Sequence, residues 1–107
     1  MTPRVILLDR GHGGEDPGAV WNGIREADLN TAVTRELYQL LEADPVYQPA
    51  LTCPLDLRGR CTLEQRTRVA NAMAPDLMIS NHFNAGGGSG FEVYPEVPRE
   101  AAHPRFS

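Results

Sequence analysis

The pattern of this 107-residue chain is that of an α/β domain: a mostly parallel or mixed twisted sheet with helices on both faces. Three observations lead there. The apolar, partly β-branched run Val5-Ile6-Leu7-Leu8 ends at a glycine cluster, as buried strands of open α/β sheets do. Two segments of helical periodicity alternate with short apolar runs, which implies parallel strands joined by helical crossovers. No linker or shift in composition divides the chain, so residues 1–107 read as a single domain.

The elements follow in order. Residues 5–9 form the first strand. Residues 10–25, rich in Gly, Pro, Asn and Asp, read as a loop long enough to be functional. Residues 29–42 set Leu29, Ala32, Val33, Leu37, Leu40 and Leu41 at helical spacing, with Asp28 as the expected N-cap and Pro45 as the stop. Residues 46–52 form a second strand, which Pro49 directs to a sheet edge. After a loop at 53–60, Thr62-Leu63-Glu64-Gln65 has the capping-box pattern and opens a second helix, which runs to about Met73 before Pro75. Residues 77–80 are a third strand, 84–90 a glycine-rich loop and 90–94 a fourth strand. Residues 95–107 show no pattern.

Composition narrows the function. A net charge of −4 argues against nucleic acid as the main partner. The 10 basic residues are all Arg, which excludes a P-loop lysine, a Schiff-base lysine and a Ser-Lys dyad. The longest apolar run is too short for a membrane span or a signal-peptide core. Catalysis is left to His, carboxylates, hydroxyls, Cys or a metal. Cys53 and Cys61 match neither a disulfide scaffold nor a zinc knuckle. They read as two unrelated thiols near a loop; a disulfide stapling that loop, in an oxidising compartment, is the alternative.

Two histidines follow strands: His12 within Gly11-His12-Gly13-Gly14, and His82 within Ser80-Asn81-His82-Phe83-Asn84. Parallel strands end on one edge, and ligands of open α/β sheets bind beyond their carboxyl ends. Both imidazoles can therefore reach one crevice. Glu26, at the end of the long loop, can fold back over it. Two His and one carboxylate make a donor set suited to catalytic zinc with a position left open. From the residues alone, a turn or surface role for each histidine stays an open alternative. Glu15, Asp16 and Asp28 read as solvated charges or caps. The glycine-rich stretch lacks the G-K-[ST] and G-x-G-x-x-G patterns of a phosphate cradle.

At this point the motifs resemble a family. Val5-Ile6-Leu7-Leu8-Asp9-Arg10-Gly11-His12-Gly13-Gly14 with Asp16-Pro17-Gly18-Ala19 looks like the opening of the zinc-dependent N-acetylmuramoyl-L-alanine amidases, amidase type 3. The likeness continues through Gly23-Ile24-Arg25-Glu26, Asp28-Leu29-Asn30, Leu63-Glu64-Gln65-Arg66 and Ala70-Asn71. It runs on through residues 76–85 to Gly90-Phe91-Glu92-Val93-Tyr94. The resemblance implies an amidase-like α/β sandwich with His12, Glu26 and His82 as zinc ligands. It also implies hydrolysis of the amide between N-acetylmuramic acid and L-alanine in peptidoglycan. Asn30 and Asn84 are expected to contact substrate or support the ligands, with a turn or cap role as the alternative. The substrate would be peptidoglycan or a muropeptide. The site of action would be extracytoplasmic (periplasm or cell wall) or reached by phage release, with no signal peptide visible.

Three departures carry expectations. Arg10 stands where the family usually has Pro, and is expected to alter the electrostatics of the site mouth. Asn81-His82-Phe83 replaces the usual Ile-His-Ala. Family members also continue into a further helix, further strands and a catalytic glutamate that no residue here matches; Glu92, Glu96 and Glu100 are near it by number only. The expectation is therefore an N-terminal portion of an amidase domain, truncated at its C-terminal side, that either folds marginally or needs a partner chain to complete the fold. The alternative function is a catalytically inactive zinc- and muropeptide-binding fragment.

Overall fold

The computed structural model describes residues 2–13, 16–55 and 61–83. The elements are β1 (Arg4–Arg10), β2 (Val20–Trp21), β3 (Ile24–Arg25), α1 (Glu26–Glu42), β4 (Tyr47–Leu51), α2 (Leu63–Met73) and β5 (Leu77–Asn81). The strand expected at 90–94 lies outside the described residues.

β1 is the central strand of a three-stranded sheet in the order β4-β1-β5, parallel on both sides. Leu8 pairs with Leu51 on one side and with Ile79 on the other. Pro49 lies on β4, an outer strand among the described residues, as expected of a residue that cannot donate to a ladder.

The two helices cover opposite faces. Ser80 turns its hydroxyl to Asp9, which also meets Arg66 of α2. The next side chain, Asn81, points the other way and donates to Thr34 of α1. This is the alternation of a β-strand.

Along β1 the interior changes character. Ile6, Leu7 and Leu8 are buried apolar side chains; Asp9 and Arg10, equally buried, are charged. Burial of each apolar side chain stabilises by about 1.5–3 kcal/mol. Buried charges need partners, so the carboxyl end of β1 must be a polar network rather than a core.

Four expectations need correction. The segment 10–25 is not only a loop, because β2 and β3 pair antiparallel as a hairpin. Its turn is Asn22-Gly23, with φ of 49° and 76°, the left-handed pair that matches strand twist in a two-residue hairpin. Helix α1 begins at Glu26 with Arg25 at its N-cap, so Asp28 sits in the first turn. The N–H groups of Glu26 and Ala27 are taken by the carbonyls of Ala19 and Pro17, so no side-chain cap is required. The buried face of α1 is not its leucine stripe but Ala27, Asn30, Thr31 and Thr34, while Leu40 is 70% exposed. Finally, Cys53 and Cys61 are not separate thiols but a disulfide, with Cα atoms 6.0 Å apart. Their spacing alone does not reveal this pairing.

Helix α2 follows its sequence signal. Thr62 Oγ1 accepts from the Gln65 N–H, and the Gln65 side chain accepts from the Thr62 N–H. The helix ends at Ala74 in the left-handed conformation, before Pro75.

Candidate metal centre

Three residues far apart in sequence converge beyond the carboxyl edge of the sheet. His12 follows β1, His82 follows β5, and Glu26 is the first residue of α1. Each offers a ligand atom, and these atoms all lie within 4.8 Å of one another. Oε1 of Glu26 lies 3.2 Å from His12 Nε2, and Oε2 lies 3.1 Å from His82 Nδ1. The two imidazoles meet edge to face, with centroids 5.2 Å apart.

The backbone leaves room for little else. A Cβ at Gly11 would fall on the His82 ring. At Gly18 (φ +68°) it would lie 2.6 Å from both Glu26 Oε1 and His12 Cδ2. His12 itself has φ 63°, a left-handed conformation that a residue with a Cβ adopts only where its surroundings impose it.

Glu26 is 5% exposed and held from all sides. Oε1 accepts from the Ala19 N–H at 3.0 Å. Oε2 accepts from the Phe83 N–H at 3.1 Å and from Asn30 Nδ2 at 3.3 Å. Burial works to raise its pKa. The donors Ala19, Asn30, Phe83 and His82 outweigh burial and hold the carboxyl below its ordinary value. Asn30, fully buried, also donates to the Gly11 carbonyl at 2.8 Å, so one side chain ties Glu26 to the loop carrying His12. Asn84 lies outside the described residues, as does Glu15.

Asp16 is exposed, as its loop position suggests, but it also has a partner. Its Oδ2 lies 2.8 Å from His12 Nδ1, and this hydrogen bond lowers the Asp16 pKa. A carboxylate on Nδ1 selects the tautomer whose Nε2 lone pair is free to bind a cation. An isolated bridge between Gly13 and Asp16 helps bring the two together.

Arg10 is also corrected. It is 1% exposed and turns beneath the site instead of standing at its mouth. Its Nη1 donates to the His12 carbonyl at 3.1 Å and its Nε to the Pro54 carbonyl at 3.0 Å. Arg66 approaches from α2, giving Nη2 to the same His12 carbonyl at 2.9 Å and Nη1 to the Arg10 carbonyl at 2.6 Å. The sequence reading assigned no role to Arg66; the buried ion pair with Asp9 (3.4 Å) is formed only in the fold.

The donor set fits a divalent cation. Two neutral imidazoles and one ionised carboxylate can share it, and three protein donors leave further positions open. Among the described residues, His12, Glu26 and His82 are the group of this kind.

Both the sequence and the fold are similar to those of known proteins. A family model described as N-acetylmuramoyl-L-alanine amidase matches residues 6–104. The chain is 38% identical over 100 residues to an endolysin of Bacillus phage SPP1, covering 92% of this chain and 36% of that protein. It is 38% identical over 95 residues to a sporulation-specific N-acetylmuramoyl-L-alanine amidase of Bacillus subtilis, covering 86% and 36%. The fold superposes on the catalytic domain of CwlV, an N-acetylmuramoyl-L-alanine amidase from Bacillus (Paenibacillus) polymyxa var. colistinus. There the TM-score is 0.73 and the identity 30%, over 79% of this chain and 48% of that one. An N-acetylmuramoyl-L-alanine amidase from Clostridium difficile 630 gives a TM-score of 0.72 at 26% identity, over 84% and 48%. The chain thus spans about a third of these curated relatives' length and about half of these solved chains.

Proposed function

Because this chain belongs to the N-acetylmuramoyl-L-alanine amidase family, we propose that its site serves zinc-dependent hydrolysis of the amide joining N-acetylmuramic acid to L-alanine in peptidoglycan. The observation that supports this most is the convergence of His12, Glu26 and His82 beyond the carboxyl edge of a parallel sheet.

In this reading His12 Nε2, a Glu26 oxygen and His82 Nδ1 hold the ion. When bound there, zinc supplies Lewis acidity toward a carbonyl oxygen and lowers the pKa of water towards neutrality. The chain's own residues do the positioning. Asp16 keeps the His12 proton on Nδ1. Asn30 and the N–H groups of Ala19 and Phe83 keep Glu26 ionised and fixed, so that a carboxylate, not an acid, faces the ion. The substrate class is peptidoglycan or a muropeptide, acted on outside the cytoplasm or after phage release, as the relatives' names suggest.

Native mass spectrometry of the chain beside His82→Ala is the direct test. One zinc on the parent, absent from the variant, with release of stem peptide from muropeptides, is expected. Binding of zinc and muropeptide without turnover would replace the enzyme by a binding module. Absence of stoichiometric zinc from the parent would overturn the site.

A further inference from the structure

The disulfide and the metal centre are usually independent features of a fold; here hydrogen bonds join them. The loop closed by Cys53–Cys61 presents two carbonyls, Pro54 next to one cysteine and Cys61 itself. Arg10 Nε donates to the first at 3.0 Å, and Arg66 Nε to the second at 3.3 Å. The far ends of both guanidinium groups then meet on one atom, the carbonyl oxygen of His12. Each arginine thus spans from the disulfide loop to the same backbone unit.

That unit needs holding. His12 is in a left-handed conformation, and its neighbour Gly13 has φ of 138°, where a Cβ would collide with the Arg10 guanidinium. Such a backbone persists only when its surroundings over-determine it. Asp9 and the Arg10 carbonyl hold one end of Arg66 and offset the like charge. The Nε atoms of both guanidinium groups rest on the closed loop, which restricts where the Pro54 and Cys61 carbonyls can go and so where the two groups can point.

We propose that the Cys53–Cys61 disulfide acts through Arg10 and Arg66, as positioning residues, to hold His12 in its ligating pose, which makes metal affinity redox-sensitive. The proposal rests on the reading of His12 as a metal ligand. In the oxidised chain the ligand is preformed. When a dithiol reductant delivers two electrons and two protons, leaving Cys53 and Cys61 as thiols and itself as a disulfide, the loop carbonyls wander, the guanidinium groups follow, and the His12 backbone relaxes away from φ 63°. Asp16 and Glu26 still face the imidazole, so binding is weakened and not abolished.

Cobalt(II) titration of the full 107-residue chain tests this, with the visible absorption of cobalt reporting ligand geometry. Four chains are compared: oxidised wild type, Cys53→Ala/Cys61→Ala, Arg66→Lys, and the combination. The cysteine pair and Arg66→Lys are each expected to weaken cobalt binding about 10- to 100-fold, the range for groups that orient a ligand, and to alter the spectrum. The combination is expected to lose much less than the product of the two, because both act through one path. Wild-type affinity and spectrum in the cysteine variant, or losses that multiply, would overturn the proposal. If circular dichroism shows that the cysteine variant does not fold, Arg66→Lys decides, since its disulfide is intact: an unchanged spectrum and affinity there overturns it. Failure of the oxidised wild type to bind cobalt or zinc would instead defeat the three-ligand reading itself.

Discussion

His82 Nδ1 lies 3.1 Å from Glu26 Oε2, across 56 residues of sequence. The pair closes the site between the ends of two elements that share no local signal, the start of α1 and the end of β5. Phe83, next in the chain, donates its N–H to the same oxygen, so the turn after β5 grips Glu26 twice. Removing the carboxylate strands these donors and, in the proposed function, takes away one ligand of the ion. Glu26→Ala is expected to abolish stoichiometric zinc binding in native mass spectrometry. It should also destabilise the metal-free chain by about 1–3 kcal/mol, the cost of unsatisfied buried donors, read from urea denaturation.

Asp16 offers a gentler test. Its side chain is 65% exposed, so Asp16→Ala should leave folding nearly untouched. It removes the group that fixes the His12 tautomer. Zinc affinity is expected to fall about 10- to 100-fold with little change in thermal midpoint. An unchanged affinity in competition with a chelating dye would show that Asp16 does not orient His12.

Two glycines separate strain from site geometry. Gly23, at the hairpin turn, has φ +76° and open space where a Cβ would go. Gly23→Ala should cost about 1 kcal/mol from the left-handed backbone alone and leave zinc stoichiometry intact. Gly18 has a similar φ, but its Cβ would wedge between Glu26 and His12. Gly18→Ala should lose zinc as well as stability. If both variants bind zinc like the parent, the packing around the two ligands is looser than described.

Acid should weaken the metal-free fold through Glu26. Its carboxyl titrates below its ordinary 4.5 in the folded chain. A group so lowered contributes stability fully above its unfolded value, and loses it as pH falls through the folded value. Denaturant midpoints of the metal-free chain are therefore expected to hold down to about pH 5 and then decline. Glu26→Gln should make that decline shallower. Asp16, also lowered, by its hydrogen bond to His12, adds to the same limb from its ordinary 3.8 downward.

The capping box is a check on the scaffold alone. Thr62→Ala removes the acceptor for the Gln65 N–H and should cost about 1 kcal/mol in thermal or urea unfolding, with zinc binding unaffected except through stability.

The sequence made some of this legible for definite physical reasons. Val5–Leu8 before a glycine cluster, and Leu77–Ser80 before His82, place two histidines at strand ends, and parallel pairing then forces those ends onto one edge. Thr62 and Gln65 state their own cap. Asn22-Gly23 between Val20-Trp21 and Ile24-Arg25 is a hairpin signal that a reading of the whole segment as loop passes over. Asp16, Arg10 and Arg66 could not be placed, because most of what they bind is a ring nitrogen or a backbone carbonyl, and carbonyls carry no residue identity; the Asp9 carboxylate that also meets Arg66 lies 57 residues away in the chain. The disulfide could be carried only as the alternative to two separate thiols, since proximity of two cysteines depends on the path of the chain between them.

The central position of β1 bears on how the chain is made. Ile6 pairs with Leu77, so the most apolar strand leaves the ribosome long before its partner exists. At about 5–20 residues per second, that interval is roughly 4 to 14 s. The strand's other neighbour, β4, follows sooner, since Ile6 also pairs with Pro49. Until then Val5-Ile6-Leu7-Leu8 has neither sheet neighbour, and from then until β5 emerges one of its edges stays unpaired and open to any chaperone or nascent chain nearby. The strand that organises the finished molecule is thus its chief hazard during synthesis.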